Sequence, residues 1–106
     1  MDIESLRKMT SGPRDSAMLR LTLAQLLLDQ KEFSEAENHL LAALEMNRDY
    51  TAAWKALGKV RQQSGDADGA ADAWTRGIEI AREKGDKQAE KEMTVFARRL
   101  EKSDSG

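Results

Sequence analysis

The sequence lacks cysteine, contains a single proline and has few aromatic residues. Without cysteine the chain can form no disulfide bond, thiolate metal site or cysteine nucleophile. One proline and 5% aromatic residues argue against a β-sandwich or barrel, which needs many turns and aromatic-rich strands. Apolar runs such as residues 26–28 are far too short to span a bilayer. These absences favour a helical protein without a membrane anchor.

Length and charge are those of a small domain with a large polar surface. The chain has 106 residues, of which 40% are hydrophobic and 34% charged, so we expect one domain with a thin core. A formal net charge of −2 argues against general electrostatic binding of nucleic acid. Asp2 and Glu4 stand where a signal peptide would carry positive charge. We therefore expect a cytoplasmic protein with no nucleic-acid and no membrane partner.

Hydrophobic periodicity predicts helices along almost the whole chain. Residues 1–12 are expected to form an N-terminal segment that is either a short helix or partly disordered, and Pro13 suits the first position of the next helix. Ser34 and Glu37 predict a capping box, in which each side chain accepts the other residue's backbone N–H. Residues 103–106 are expected to be a disordered tail. The longer helices are predicted at Arg14–Gln30, Ser34–Asn47, Thr51–Ser64, Ala67–Lys84 and Lys87–Glu101.

A repeat with an offset of 34 residues relates two parts of the chain. The positions agree in size and polarity: Leu23 with Leu57, Ala24 with Gly58, Ala36 with Ala70, Leu40 with Trp74, Ala43 with Gly77, Leu44 with Ile78 and Met46 with Ile80. This period is that of tetratricopeptide repeats. The chain therefore resembles the tetratricopeptide repeat (TPR) family over two repeats, residues 17–50 and 51–84.

The resemblance implies an all-α solenoid of two helix–turn–helix units, with a short N-terminal helical segment and a C-terminal capping helix at 87–101. The two units and the capping helix form a TPR domain over residues 13–102. The first repeat departs from the family pattern at Arg20, which stands where the second repeat has Trp54. Arg61 is another departure, because the family prefers an aromatic or large apolar residue there.

The resemblance also implies a concave groove lined by the first helix of each repeat. Groove positions by this resemblance are Met18, Leu21, Gln25, Leu28, Ala52, Lys55, Lys59 and Gln62. Met18, Leu21 and Leu28 are apolar residues outside the predicted core, and they are available to a partner unless the N-terminal segment covers them. The two lysines favour a partner of acidic character, unless they belong to an ordinary solvated helix face.

The function implied is a non-enzymatic module that binds a peptide or helix of another protein. The family's clamp for a chaperone C-terminus is not predicted, because Leu21, Gln25 and Ala56 replace its lysine and asparagines. His39 is the only histidine and is expected to be an exposed residue without a catalytic partner. No metal or cofactor is expected.

Two alternatives remain open at this point. The chain could form a homodimer or an assembly scaffold through an exposed apolar face, so that we expect a monomer or a weak homodimer. It could also be a nucleic-acid accessory protein that uses the basic helix at Thr51–Ser64.

Overall fold

The computed structural model describes residues 2–105, and within that range it contains six α-helices and no β-strand. The predicted all-α class is confirmed. The helices are α1 (Ile3–Met9), α2 (Ala17–Asp29), α3 (Phe33–Met46), α4 (Thr51–Gln63), α5 (Ala67–Lys84) and α6 (Lys87–Ser105).

The helices stack in chain order as two hairpins with a helix at each end. The hairpins α2–α3 and α4–α5 pack side by side through α3 and α4, α1 packs on α2, and α6 packs on α5 and α4. The molecule is elongated, with extents of 43, 30 and 19 Å along its principal axes. The solenoid architecture predicted from the repeat is therefore confirmed.

The core alternates small and large side chains, as the repeat predicts. The small positions Ala24, Ala36, Ala43, Gly58, Ala70 and Gly77 are buried, as are the large ones, Leu23, Leu40, Leu57 and Trp74. Gly58 lies directly against the indole ring of Trp74, whose Nε1 donates a hydrogen bond to the backbone oxygen of Lys55 at 3.1 Å. The absent side chain at Gly58 therefore allows α4 and α5 to approach each other closely.

Two predicted helix starts are wrong. The second helix begins at Ala17 rather than Arg14, because the Ser16 hydroxyl caps it by accepting the backbone N–H of Leu19 at 3.0 Å. Pro13 therefore lies in the preceding turn.

The next helix begins at Phe33, and its N-terminus has no side-chain cap. The predicted capping box between Ser34 and Glu37 does not form. The Glu37 carboxylate instead accepts hydrogen bonds from the Arg61 guanidinium at 3.2 and 3.3 Å.

The two glycine turns have the predicted geometry. Gly65 and Gly85 end their helices with φ values of 94° and 73°, which glycine adopts without strain. Asp66 then caps α5 by accepting the backbone N–H of Gly69 at 2.9 Å. The last helix runs further than expected: the segment predicted as a tail is helical as far as Ser105, while Gly106 lies outside the described residues.

A polar network joins α1 to α2 and α3, and it corrects the expectation that His39 is exposed. Arg7 donates two hydrogen bonds to Glu35 at 2.7 and 2.8 Å. His39, with a side chain only 12% exposed, lies between Glu35 at 3.3 Å and Arg20 at 3.0 Å. Arg20 also pairs with Asp15 through two bonds of 2.8 and 2.9 Å. Charged groups thus connect α1, α2 and α3 where the family pattern has an aromatic residue.

Candidate functional site

One broad surface of the molecule is formed by α2, α4 and α6. In the described part of the chain, α2 contacts α4 and α4 contacts α6, whereas no Cα atom of α3 lies within 8 Å of one in α5. The helices α2, α4 and α6 therefore lie close to one another, while α3 and α5 lie further apart. This difference curves the stack, and we call the α2–α4–α6 side the concave surface.

The concave surface receives fewer residues from α2 than predicted. Met18 is 70% exposed and Gln25 is exposed, but Leu21 is only 8% exposed and belongs to the core. Leu28 is half-buried against the same core. The interpretation of Leu21 as an apolar residue without a core role is therefore wrong. Because α1, α3 and α4 all pack on α2, only a narrow strip of this helix remains for solvent.

The N-terminal helix covers another part of α2. Leu6 is fully buried, and it lines a cleft of about 250 Å³ together with Met9, Met18 and Leu19. Met18 thus stands at the edge of α1 and keeps most of its side chain in solvent. The N-terminal segment therefore approaches the predicted groove at Met18.

From α4, the two predicted lysines each contact a side chain of α6. Lys55 Nζ lies 3.3 Å from a carboxylate oxygen of Glu92. Lys59 Nζ lies 4.3 Å from the centre of the Phe96 ring, which is a cation–π contact. Both pairs join residues on the same two helices, one turn apart.

Sequence reasoning missed Glu92 and Phe96 as neighbours of the lysines. The signal was present as two i, i+4 pairs, one on each helix. Whether the two pairs lie opposite each other depends on the axial offset between α6 and α4, which the periodicity of the sequence does not specify.

The third cation of α4, Arg61, is also engaged inside the molecule. Its guanidinium bonds Glu37 and donates to the backbone oxygen of Gly69 at 3.2 Å. All three cations of this helix therefore have partners within the chain, which leaves little free positive charge for phosphate groups.

A polar cleft of about 250 Å³ separates α4 from α6 on the concave surface. It is lined by Thr51, Ala52, Lys55, Asp86, Gln88, Ala89 and Glu92. Thr51 donates its hydroxyl to Asp86 at 3.3 Å, while Ala52 is half-buried. Gln62, the remaining predicted residue, is exposed near the end of α4. The cleft offers amide, hydroxyl, ammonium and carboxylate groups, which can bind the main chain and side chains of a peptide.

The described residues contain no group of three or more His, Cys, Asp or Glu side chains that could hold a metal ion. Among the same residues, no helix has the length and hydrophobicity needed to cross a membrane.

Comparison with known proteins agrees with this architecture. The sequence model described as "Tetratricopeptide repeat" matches residues 3–60. A TPR repeat-containing protein of Pseudomonas aeruginosa is 47% identical, over 97% of this chain and 98% of its own length. A solution structure of a Bordetella parapertussis protein superposes with a TM-score of 0.86 and 40% identity, covering 99% of this chain and 91% of that one.

The fold is also shared with more distant structures. The first TPR domain of Spaghetti (RPAP3), solved with the HSP90 peptide SRMEEVD, superposes with a TM-score of 0.82 and 21% identity, over 98% of this chain and 78% of its own. TPR proteins are in general non-enzymatic modules for protein interaction. From the match over more than half of its residues and the 47% identity to the Pseudomonas protein, this chain belongs to the tetratricopeptide repeat family.

Proposed function

We propose that this protein binds a short segment of another protein on its concave surface, at the cleft between α4 and α6. The observation that carries the proposal is the curvature of the stack, in which α2, α4 and α6 share the hollow side. Membership of a family of interaction modules supports it.

The Lys55–Glu92 ion pair suggests how a partner would be recognised. Both side chains are about a third or more exposed, at 32% and 40%, and their separation of 3.3 Å is long for a charge-assisted hydrogen bond. Such an exposed pair contributes little to stability, so a carboxylate of the partner could replace Glu92 at little cost. We therefore propose a partner segment that carries an acidic residue. The Spaghetti domain shows that the same fold holds a peptide rich in acids.

Opposite changes in affinity from two substitutions would test this proposal. A peptide would be selected from a random phage-displayed library. Its affinity for wild type, Glu92→Gln and Lys55→Gln would then be measured by fluorescence polarisation. Glu92→Gln frees the ammonium group and should tighten binding about three- to tenfold, whereas Lys55→Gln should weaken it by a similar factor. Both changes keep side-chain volume and helix propensity nearly constant.

Glu90→Gln is the matched control. Glu90 lies on the same helix and pairs with Arg82 of α5 at 2.7 Å, so its substitution removes an ion pair that does not involve α4. Its affinity for the peptide should equal that of wild type. Equal affinities for all four proteins, or a library that yields no binding peptide, would reject the site. Leu21 is unsuitable for such a test because its substitution would disrupt the core.

A further inference from the structure

The two ends of the helical stack carry clefts of opposite charge. At the N-terminal end, a cleft of about 530 Å³ between α1 and α2 is lined by three carboxylates and one cation. At the other end, a cleft of the same volume runs along α6 and is lined by three cations and one carboxylate. Each cleft also has an apolar part, formed by Ile3 and Leu26 in the first and by Val95 in the second.

The acidic end keeps its negative charge because its one cation is already paired. Arg7 bonds Glu4 within the cleft and Glu35 outside it. The other two carboxylates, Asp2 and Asp29, are exposed, and neither makes an ion pair with any side chain that the structure describes, from residue 2 to residue 103. The end formed by α1 and α2 is therefore an acidic rim around a small apolar floor.

The basic end is the outer face of the last helix. The inner face of α6 packs Met93 and Leu100 into the core, whereas Val95 remains 37% exposed on the other side. Arg98 and Arg99 flank it, are exposed, and form no ion pair with any side chain described in the range 2–103. In longer repeat arrays the next helix covers such a face, since each unit buries its apolar side only against a neighbour.

We propose that this protein associates head to tail with a second copy of itself, the basic α6 face of one copy docking on the acidic α1–α2 end of the next. The opposite charges attract, and Val95 meets the apolar floor at Ile3 and Leu26. Such a contact is heterologous, so each added copy leaves one acidic and one basic end free for further growth. The concave surface takes no part in it.

This arrangement differs from a dimer built on one exposed apolar face. Among the described residues, the large apolar side chains with the greatest exposure lie on three different helices: Met18 on α2, Leu41 and Met46 on α3, and Val95 on α6. Charge at the two ends, rather than an apolar patch, selects the partner.

The test is the weight-average mass in sedimentation equilibrium, measured at low salt over a wide range of protein concentration. Wild type should rise continuously from 11.8 kDa to beyond twice that mass, and the rise should disappear in 1 M salt, where the Debye length is about 3 Å. Glu4→Lys/Asp29→Lys and Arg98→Glu/Arg99→Glu should each weaken association at least about tenfold.

The chain that carries all four reversals should associate again, because it restores opposite charges at the two ends and has the wild-type net charge of −2. Arg48→Glu/Arg76→Glu is the control: it reverses two exposed arginines elsewhere and should associate nearly as wild type does. Circular dichroism would confirm that every variant is helical.

Three results would overturn the proposal. They are a constant mass of 11.8 kDa, a plateau at twice that mass with no further growth, and failure of the fourfold variant to recover association. If the mass stays constant, the partner of the basic α6 face would be another protein with an acidic surface and not a second copy of this chain.

Discussion

Gly58 shows how one missing side chain sets the distance between two helices. A Cβ atom at this position would overlap the Trp74 ring, including the Nε1 that bonds the Lys55 backbone oxygen. The ring cannot move away freely, because it is fully buried and also contacts Phe96, with ring centroids 5.5 Å apart. A methyl group at Gly58 therefore has no space without displacing either α5 or α6.

Gly58→Ala should lower the free energy of unfolding by about 2 kcal/mol, because overpacking a dense core costs about 1–3 kcal/mol. Urea unfolding followed by circular dichroism measures the change. Gly12→Ala is the control, since no atom lies within 4 Å of a Cβ built there, and it should stay within about 0.5 kcal/mol of wild type. Equal stabilities for the two variants would show that Trp74 can repack.

At the scale of elements, α1 is held by apolar contacts and by one ion pair to another helix. Leu6 is fully buried, Ile3 and Met9 pack against the same core, and Arg7 reaches across to Glu35 on α3. The hydrogen bonds from the Arg7 guanidinium, with a smaller contribution from His39, lower the pKa of Glu35 to about 2. In the same way, Arg20 lowers the pKa of Asp15 below its ordinary value. Ionised carboxylates thus stabilise the contacts of the first three helices.

Because the pKa of Glu35 is lower in the folded state, its contribution to stability is complete above about pH 5 and is lost as the pH falls towards 2. The free energy of unfolding of wild type should therefore fall across this range. The Glu35→Gln variant should have a lower free energy of unfolding above about pH 5, and this free energy should fall less steeply as the pH is lowered. Urea titrations at several pH values measure both slopes.

Glu79→Gln, an exposed position on α5, is the control and should keep the wild-type slope. A Glu35→Gln slope equal to that of wild type would show that this ion pair does not respond to acid in solution.

On the scale of the whole molecule, each helix pair depends on a neighbour to bury its apolar side. Trp74 and Ala81 of α5 are covered by Met93 and Phe96 of α6, so the last helix completes the second repeat's core. This is the behaviour of a one-dimensional array, in which removing a terminal unit exposes the face behind it.

A chain ending at Lys84 should therefore lose most of its stability, since exposing a side chain such as Trp74 costs about 3 kcal/mol or more. We expect red-shifted tryptophan fluorescence, binding of the dye ANS and a broad unfolding transition. A chain ending at Lys102 keeps the core-facing part of α6 and should unfold as the full chain does. A cooperative wild-type transition in the shorter chain would contradict the assignment of α6 as a structural cap.

The sequence by itself determined the helical class, the repeat and most of the core. Spacing along one helix is local, so the 34-residue offset and the small residues at Ala24, Gly58 and Gly77 predict which faces pack. Glycines at 65 and 85 likewise predict where helices end, because few other residues adopt a positive φ.

Only the tertiary structure decided the surroundings of the predicted groove. Whether Leu21 is exposed depends on how many helices pack on α2. The partners of Lys55 and Lys59 depend on the axial offset between α6 and α4. The same holds for Glu37, which could cap its own helix but pairs with Arg61 from the next hairpin. Long side chains can satisfy their charges locally or across a helix interface, and only the docked helices select between the two.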